Sequence, residues 1–180
     1  MRTGGMKRSS YGLWPVAMFV FCLLAVAACS SEEVPESMTA PELTLPDLEG
    51  REVRLSDYKG RVVVLNLFAT WCPPCREETP DLVELQKRHD PADLTVIAVS
   101  MDKDGTGTVK AFVRKYKINY PVLYAGDRAG DVAEKLGGIR GVPTSFIIDR
   151  QGMIVQRVVG APPGDFWERA VKGLVAKKDS

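Results

Sequence analysis

Cys72 and Cys75 lie three residues apart, between a continuous run of strand-forming residues at Val62–Phe68 and a stretch with helical periodicity. Side chains three residues apart on a helix lie about 5–6 Å apart at Cβ, and a disulfide needs Cα atoms about 4.4–6.8 Å apart. The pair can therefore close into a bond with little movement of the backbone. A helix N-terminus also carries partial positive charge and free N–H groups, which stabilise a thiolate. The spacing predicts a redox-active pair in which one sulfur attacks and the other resolves.

Strand-like and helix-like segments alternate downstream of residue 42. An alternating apolar pattern on either side of Gly50 predicts a short N-terminal hairpin, and a helix is predicted from Cys72 to about Arg88, with Pro80 removing one internal hydrogen bond. The other predicted elements are strands at 62–68, 94–99, 120–124, 144–148 and 154–159, and helices at 108–116, 129–136 and after residue 163. This order predicts an α/β fold with helices flanking a mixed central sheet.

The N-terminus has the layout of an export signal. Arg2, Lys7 and Arg8 precede an apolar run at 16–28, and the first acidic residue is Glu32. The run is shorter than the about 20 residues that span a bilayer, but it suits a signal-peptide core. We expect residues 1–29 to direct export, residues 30–41 to form a flexible tether rich in Ser, Glu and Pro, and residues 42–178 to form the folded domain.

Residues 26–29, Val-Ala-Ala-Cys, resemble the bacterial lipobox. This resemblance implies that Cys29 becomes the lipidated first residue of a mature lipoprotein. Ordinary signal cleavage and an uncleaved membrane anchor are the alternatives. All three interpretations place the folded domain in the cell envelope, on the periplasmic or extracellular face, and two of them attach it to the membrane.

Charge and cysteine count exclude several classes of function. A net charge of +1 gives no electrostatic basis for nucleic-acid binding. Cys22 and Cys29 fall in the export segment, so only Cys72 and Cys75 remain in the folded part. A zinc site needs four ligands, and the single histidine is His89. We therefore expect no structural disulfide framework, no metal and no cofactor.

Together these motifs resemble the thioredoxin superfamily, and within it the extracytoplasmic TlpA/ResA-like branch. The resemblance covers roughly residues 40–178 and rests on the run Phe-Ala-Thr-Trp-Cys-Pro-Pro-Cys at 68–75, on Pro80, and on Gly-Val-Pro-Thr at 141–144. It implies a thioredoxin-like fold with a helix–strand insertion at 108–124. It also implies that Pro143 is a cis-proline facing the active-site sulfurs.

The same resemblance assigns roles around the cysteines. Trp71, Val142, Pro143 and Thr144 would bind the substrate, with the Val142 backbone pairing with an extended segment; packing of Trp71 into the core is the alternative. Thioredoxin has a buried Asp six residues before its first active-site cysteine, where this chain has Asn66.

Asn66 cannot take a proton, so Glu78 is the candidate proton acceptor for Cys75. It lies three residues after Cys75, on the same helix face. The alternative is that Glu78 only complements the helix dipole.

Cys72 is the predicted nucleophile, at the helix N-cap and with the more exposed sulfur. Pro73 and Pro74 lack N–H groups, so the thiolate loses two possible donors. A less stabilised thiolate favours the disulfide and makes the protein more reducing. The alternative is that the two prolines only stiffen the first helical turn.

These expectations describe a membrane-tethered thiol–disulfide oxidoreductase that reduces disulfides in exported proteins. The family resemblance implies apocytochrome c as a client and a membrane thiol carrier as electron donor. A disulfide oxidase or isomerase would differ only in potential. A thiol peroxidase would need a Pro-x-x-x-Thr-x-x-Cys setting, and a copper-delivery protein would need Cys-x-x-x-Cys with a distal histidine; neither pattern is in the sequence.

Overall fold

The computed structural model describes Met1 and residues 38–177. The predicted export segment beyond Met1, the proposed lipidation site Cys29 and the predicted tether up to residue 37 lie outside these residues. Within residues 38–177, no helix is long and apolar enough to cross a bilayer.

In the part of the chain that the structure describes, eight strands form two sheets. They are β1 (Met38–Thr39), β2 (Thr44–Pro46), β3 (Glu52–Arg54), β4 (Val62–Phe68), β5 (Leu94–Ser100), β6 (Val122–Tyr124), β7 (Thr144–Ile148) and β8 (Met153–Val159). The main sheet has the order β1-β8-β7-β4-β5-β6, and β2 and β3 make a separate hairpin. The strands β4, β5 and β6 run parallel, whereas β7 is antiparallel to β4. The mixed sheet and the N-terminal hairpin are as predicted.

Four α-helices in residues 38–177 cover the main sheet: α1 (Pro73–Arg88), α2 (Thr106–Tyr116), α3 (Ala129–Lys135) and α4 (Phe166–Ala176). Every residue of β4 is buried, and its side chains alternate between two hydrophobic clusters. Val62 and Val64 pack with residues of α1, α2 and α4. Val63 and Leu65 pack with residues of the hairpin and α3. Because the strand is covered on both faces, its sequence is apolar at every position except Asn66 rather than alternating.

The structure moves several predicted boundaries by one to three residues and adds one strand. Pairing begins at Met38, which lies opposite Ile154 in β8, ahead of the predicted domain start at residue 42. A two-residue edge strand carries too short a pattern to be read from sequence. The predicted insertion is α2 and β6, and β6 forms the far edge of the sheet beside β5. The cysteine pair lies near the middle, where β4 ends and α1 begins.

Candidate active site

Cys72 and Cys75 form a disulfide at the junction of β4 and α1, with their Cα atoms 5.3 Å apart. Cys72 is the N-cap of α1, and Pro73 and Pro74 are its first two helical residues. Proline fits this position because the first helical N–H groups have no partner within the helix. The local sequence therefore both starts the helix and sets the two sulfurs at bonding distance.

Cys72, predicted to have the more exposed of the two sulfurs, is nevertheless buried in the disulfide. Cys72 is 2% exposed and Cys75 is 0% exposed. The Val142 carbonyl oxygen lies 3.4 Å from the Cys72 sulfur, so the loop before β7 closes over it. The Cys75 N–H donates to the same sulfur at 3.2 Å. A tertiary contact across 70 residues of sequence thus helps to cover the Cys72 sulfur.

The covering loop has the conformation that the family resemblance implies. The Val142–Pro143 peptide bond is cis. The Thr144 hydroxyl donates to the Gly141 carbonyl at 2.8 Å, and the Gly160 N–H donates to the Pro143 carbonyl at 2.9 Å. These bonds hold the loop beside the disulfide.

Trp71 projects outward next to the buried cysteines. Trp71 is 64% exposed and is one of the most exposed large hydrophobic residues between 38 and 177. The alternative that Trp71 packs into the core is therefore wrong. An exposed aromatic ring directly before the nucleophile offers apolar contact area to an incoming molecule.

Asn66 joins three elements under the disulfide. Its Nδ2 donates to the Glu78 Oε1 on α1 and, at 2.9 Å, to the Ser145 hydroxyl on β7. Both N–H groups of the amide are therefore used. Sequence analysis did not single out Ser145, although a polar residue within an otherwise apolar strand is the signal that points to such a contact.

Glu78 is 1% exposed, and its Oε2 atom has no hydrogen-bond partner among the described residues. Burial raises the pKa of Glu78 to about 8; the bond from Asn66 lowers it, and the Asp81 carboxylate adds a further increase. Burial also raises the pKa of the Tyr120 hydroxyl, with a smaller contribution from the Glu78 charge. Glu78 is thus a carboxyl group that can exchange a proton near neutral pH.

Asp102, which the sequence did not single out, lies two residues after β5 and is 4% exposed. It accepts hydrogen bonds from the Thr70 N–H, the Thr70 hydroxyl and the Ser100 hydroxyl. Thr70 is two residues before Cys72. The sequence signal for this contact was the polar pair Ser100 and Asp102 at the carboxyl end of β5, the buried strand that neighbours β4.

The structure brings most predicted site residues together around the disulfide. Trp71, Pro73 and Pro74 adjoin the cysteines in the chain, Val142 contacts Cys72, and the pair Asn66 and Glu78 lies between β4 and α1. Within residues 38–177, no three His, Cys, Asp or Glu side chains group as a metal site. The arrangement can perform thiol–disulfide exchange using protein side chains alone.

Comparison with known proteins agrees with this chemistry. The family model described as AhpC/TSA matches residues 37–157. The thiol-disulfide oxidoreductase ResA of Bacillus cereus is 36% identical over 146 residues, covering 81% of this chain and 82% of that protein.

Two solved structures share the fold. A thiol:disulfide interchange protein of the thioredoxin family from Chlorobium tepidum has a TM-score of 0.65 and 33% identity, covering 78% of this chain and 97% of that one. The thioredoxin domain of a thiol-disulfide oxidoreductase from Bacteroides vulgatus has a TM-score of 0.69 and 27% identity, covering 77% and 96%.

Proposed function

The chain belongs to the AhpC/TSA family within the thioredoxin superfamily and is a thiol–disulfide oxidoreductase, and we propose that it works as a reductant of protein disulfides. The observation that carries this proposal is the donor set of Cys72. Its sulfur accepts a hydrogen bond from the Cys75 N–H at 3.2 Å, whereas Pro73 and Pro74 have no N–H to donate. A thiolate with few donors is less stabilised, which favours the disulfide and gives the dithiol greater reducing power.

The proposed cycle begins with the reduced protein. The Cys72 thiolate attacks a client disulfide, forming a mixed disulfide and releasing one client thiolate. Glu78, in its carboxylate form, accepts the proton of Cys75, and the Cys75 thiolate attacks the Cys72 sulfur. The second client thiolate leaves, so the client gains two electrons and the protein ends with the Cys72–Cys75 disulfide. An external dithiol must then restore the reduced protein.

The client contacts proposed here use the surface around the disulfide. Trp71 is exposed beside Cys72, and the loop at Val142, Pro143 and Thr144 lies over the sulfur. We propose that an extended client segment lies against this loop and pairs with the Val142 backbone, as an added strand does. Trp71 would then cover the apolar part of that segment.

Two variants test the redox part of the proposal. An N-cap side chain accepts a hydrogen bond from the backbone N–H of the second or third helical residue. In α1 these residues are Pro74, which has no N–H, and Cys75. Pro74→Ala restores a donor within reach of the Cys72 sulfur, whereas Pro73→Ala restores one at the first helical position, which does not cap. We expect Pro74→Ala to lower the Cys72 thiol pKa and raise the reduction potential more than Pro73→Ala does.

The potential itself is measured by equilibration with glutathione. We expect a wild-type value nearer to the about −270 mV of thioredoxin than to the about −120 mV of DsbA. A value close to that of DsbA would identify an oxidase and overturn the reductant proposal. If Pro73→Ala and Pro74→Ala changed the thiol pKa and the reduction potential equally, the prolines would act only by stiffening the start of the helix.

Location and client are further parts of the proposal. We propose that the chain is exported, that Cys29 carries lipid, and that the folded domain faces the periplasm or cell exterior on a membrane tether. Arg2, Lys7 and Arg8 before the apolar run at 16–28 support export. Mass analysis of the N-terminal peptide of the full-length chain recovered from cells tests this: a mature chain that begins at a lipid-modified Cys29 supports lipidation, whereas an intact chain that begins at Met1 indicates an uncleaved anchor.

The client class is proposed as exported proteins with disulfides, with apocytochrome c as the leading member and a membrane thiol carrier as the electron donor. This rests on the likeness to ResA-type oxidoreductases. Full-length Cys75→Ser retains the attacking sulfur without the resolving one, so it should trap the mixed disulfide. Mass spectrometry of the trapped partner identifies the client, and recovery of cytoplasmic proteins alone, or of no mixed disulfide, would contradict the assignment.

A further inference from the structure

The turn between β4 and α1 is held from both sides, although it carries the exposed Trp71. Thr70 is 7% exposed, whereas its neighbour Trp71 is 64% exposed. The Cys72 N–H donates to the Ala69 carbonyl at 3.2 Å. The chain therefore makes a tight turn immediately before the helix N-cap, with one residue facing inward and the next facing outward.

Asp102 fixes the inward-facing residue of this turn. The Thr70 N–H lies 3.0 and 3.2 Å from the two carboxylate oxygens, and the Thr70 hydroxyl donates to Oδ1 at 2.6 Å. The Ser100 hydroxyl donates to the other oxygen at 2.8 Å. Hydrogen bonds to a carboxylate are shorter and stronger than those between neutral groups, so this is a firm attachment of the turn to the end of β5.

The remaining polar group of Thr70 is held by the helix. Arg76 Nε donates to the Thr70 carbonyl at 2.8 Å. All three polar groups of Thr70 are thus bonded, two to Asp102 and one to a side chain of α1. The backbone that leads into Cys72 has little freedom to rotate, because both peptide groups of Thr70 are tied to different elements.

We propose that Asp102 is a positioning residue for Cys72: by holding Thr70, it sets the angle at which the Cys72 sulfur meets the Cys75 N–H. The Cys75 N–H is 3.2 Å from that sulfur and is the donor that the prolines leave. Hydrogen bonds weaken steeply when their angle degrades. A small rotation at Cys72 therefore removes stabilisation from the thiolate, and the preorganised turn prevents it.

The test must separate positioning from simple stabilisation of the fold. Thr70→Val keeps the size of the side chain and the charge of Asp102 but removes the hydroxyl bond. Thr95→Val is the matched control, because Thr95 is also buried and its hydroxyl donates to the Pro91 carbonyl at 2.7 Å. Thr70→Ser retains a hydroxyl and serves as the rescue variant.

The readout is the Cys72 thiol pKa in the reduced full-length chain, obtained from the pH dependence of alkylation at Cys72. Thr70→Val should raise this pKa and slow alkylation near neutral pH by about threefold to tenfold, whereas Thr70→Ser and Thr95→Val should leave both near wild type. The readout needs no client and no electron donor. The positioning proposal can therefore fail while the reductant proposal stands, and the reductant proposal can fail while the positioning proposal stands.

A double-mutant cycle connects the effect to Asp102. Asp102→Asn alone also removes a negative charge, which by itself lowers a neighbouring thiol pKa. That charge effect is the same in the wild-type and Thr70→Val backgrounds, so it cancels in the cycle. Non-additive effects on the alkylation rate support positioning through Thr70. Additive effects, or an unchanged Cys72 pKa in Thr70→Val, overturn the proposal. Should Asp102→Asn fail to fold, the Thr70 variants alone decide it.

Discussion

Glu78 and Asp102 are both buried carboxyl groups beside the redox pair, 1% and 4% exposed, yet their surroundings differ. Glu78 receives a bond from Asn66 and keeps one oxygen without a partner among the described residues. Asp102 accepts bonds from Thr70 and Ser100 at both oxygens. We propose that the first gains and loses a proton, whereas the second holds the turn before Cys72 in place. Burial alone therefore does not tell which task a carboxyl group performs.

The two cysteines differ in which of these carboxyl groups is associated with them. Cys75 is on the helix face that carries Glu78, while Cys72 follows the turn that Asp102 holds. Glu78 should therefore affect the step in which Cys75 acts, and the Asp102 turn should affect the step in which Cys72 acts. The predictions below, in order of decreasing effect, test this division.

Cys75→Ser should separate the two steps most completely. Catalytic turnover with a disulfide substrate should fall by more than about 10³-fold, because resolution needs the second thiolate. Formation of the first mixed disulfide on Cys72 should persist, seen as one equivalent of thiol released in a single burst. Continued turnover at a substantial rate would show that the sulfurs do not divide the work in this way.

Glu78→Gln should slow the resolution step while sparing the first attack. General-base assistance contributes about 10²-fold or more, so a loss of about that size is expected in the rate at which the mixed disulfide disappears. The wild-type rate should rise with pH and level off above about 8, where Glu78 is a carboxylate. In Glu78→Gln the rate should keep rising with the ionisation of Cys75 itself.

Glu77→Gln is the matched control for this measurement. Glu77 is the neighbouring residue on α1 and is exposed, so the same chemical change is made away from the disulfide. Rapid-quench analysis of the mixed disulfide across the pH range distinguishes the two variants. Superimposable profiles for wild type, Glu77→Gln and Glu78→Gln would remove Glu78 from the proposed mechanism.

Glu78 should also make the stability of the fold depend on pH. Its pKa is about 8 in the folded protein and about 4.3 in an unfolded chain, so between these values the folded state holds a proton that the unfolded state has released. The contribution of Glu78 to the free energy of unfolding should therefore be greatest below about pH 4 and decrease as pH rises towards about 8, by up to about 1.4 kcal/mol per pH unit.

Denaturant titrations at several pH values measure this slope, and Glu78→Gln should reduce it because glutamine does not titrate. Glu77→Gln should leave it unchanged. A slope that is equal in all three proteins would mean that Glu78 ionises in the folded state as it does in water.

The smallest expected effect concerns the support behind Glu78. Ser145→Ala removes one of the two acceptors of the Asn66 amide, leaving a buried N–H without its partner. We expect a loss of about 1 kcal/mol in stability, with the pH profile of resolution unchanged because the Asn66–Glu78 contact remains. Ser56→Ala, which removes a surface hydrogen bond to Glu42, is the control. A shifted pH profile would show that Ser145 takes part in setting the ionisation of Glu78.

Sequence reasoning reached the parts of the site that lie close together in the chain. Cys72, Cys75 and Glu78 follow from helical spacing, and the N-cap position of Cys72 follows from the prolines behind it. The position of the loop at Pro143 came from family resemblance rather than from spacing. These features depend on local geometry or on a motif, which a sequence displays directly.

The contacts that the sequence missed join distant segments. Asn66 and Ser145 are 79 residues apart, and Thr70 and Asp102 are 32 apart. Which polar residue of one strand meets which residue of another depends on sheet order and register, which the hydrophobic pattern does not specify. The contact between the Val142 carbonyl and the Cys72 sulfur also joins segments 70 residues apart, and only the family resemblance predicted that this loop faces the sulfurs.

The most direct test of the whole account counts free thiols at Cys72 and Cys75 in the full-length chain before and after exposure to dithiothreitol, to a disulfide substrate and again to dithiothreitol. Alkylation followed by peptide mass analysis gives the state of each cysteine. The account predicts that both thiols appear, disappear together with release of two substrate thiols, and reappear. Cysteines that stay oxidised in dithiothreitol, or stay reduced when the substrate is consumed, would contradict it.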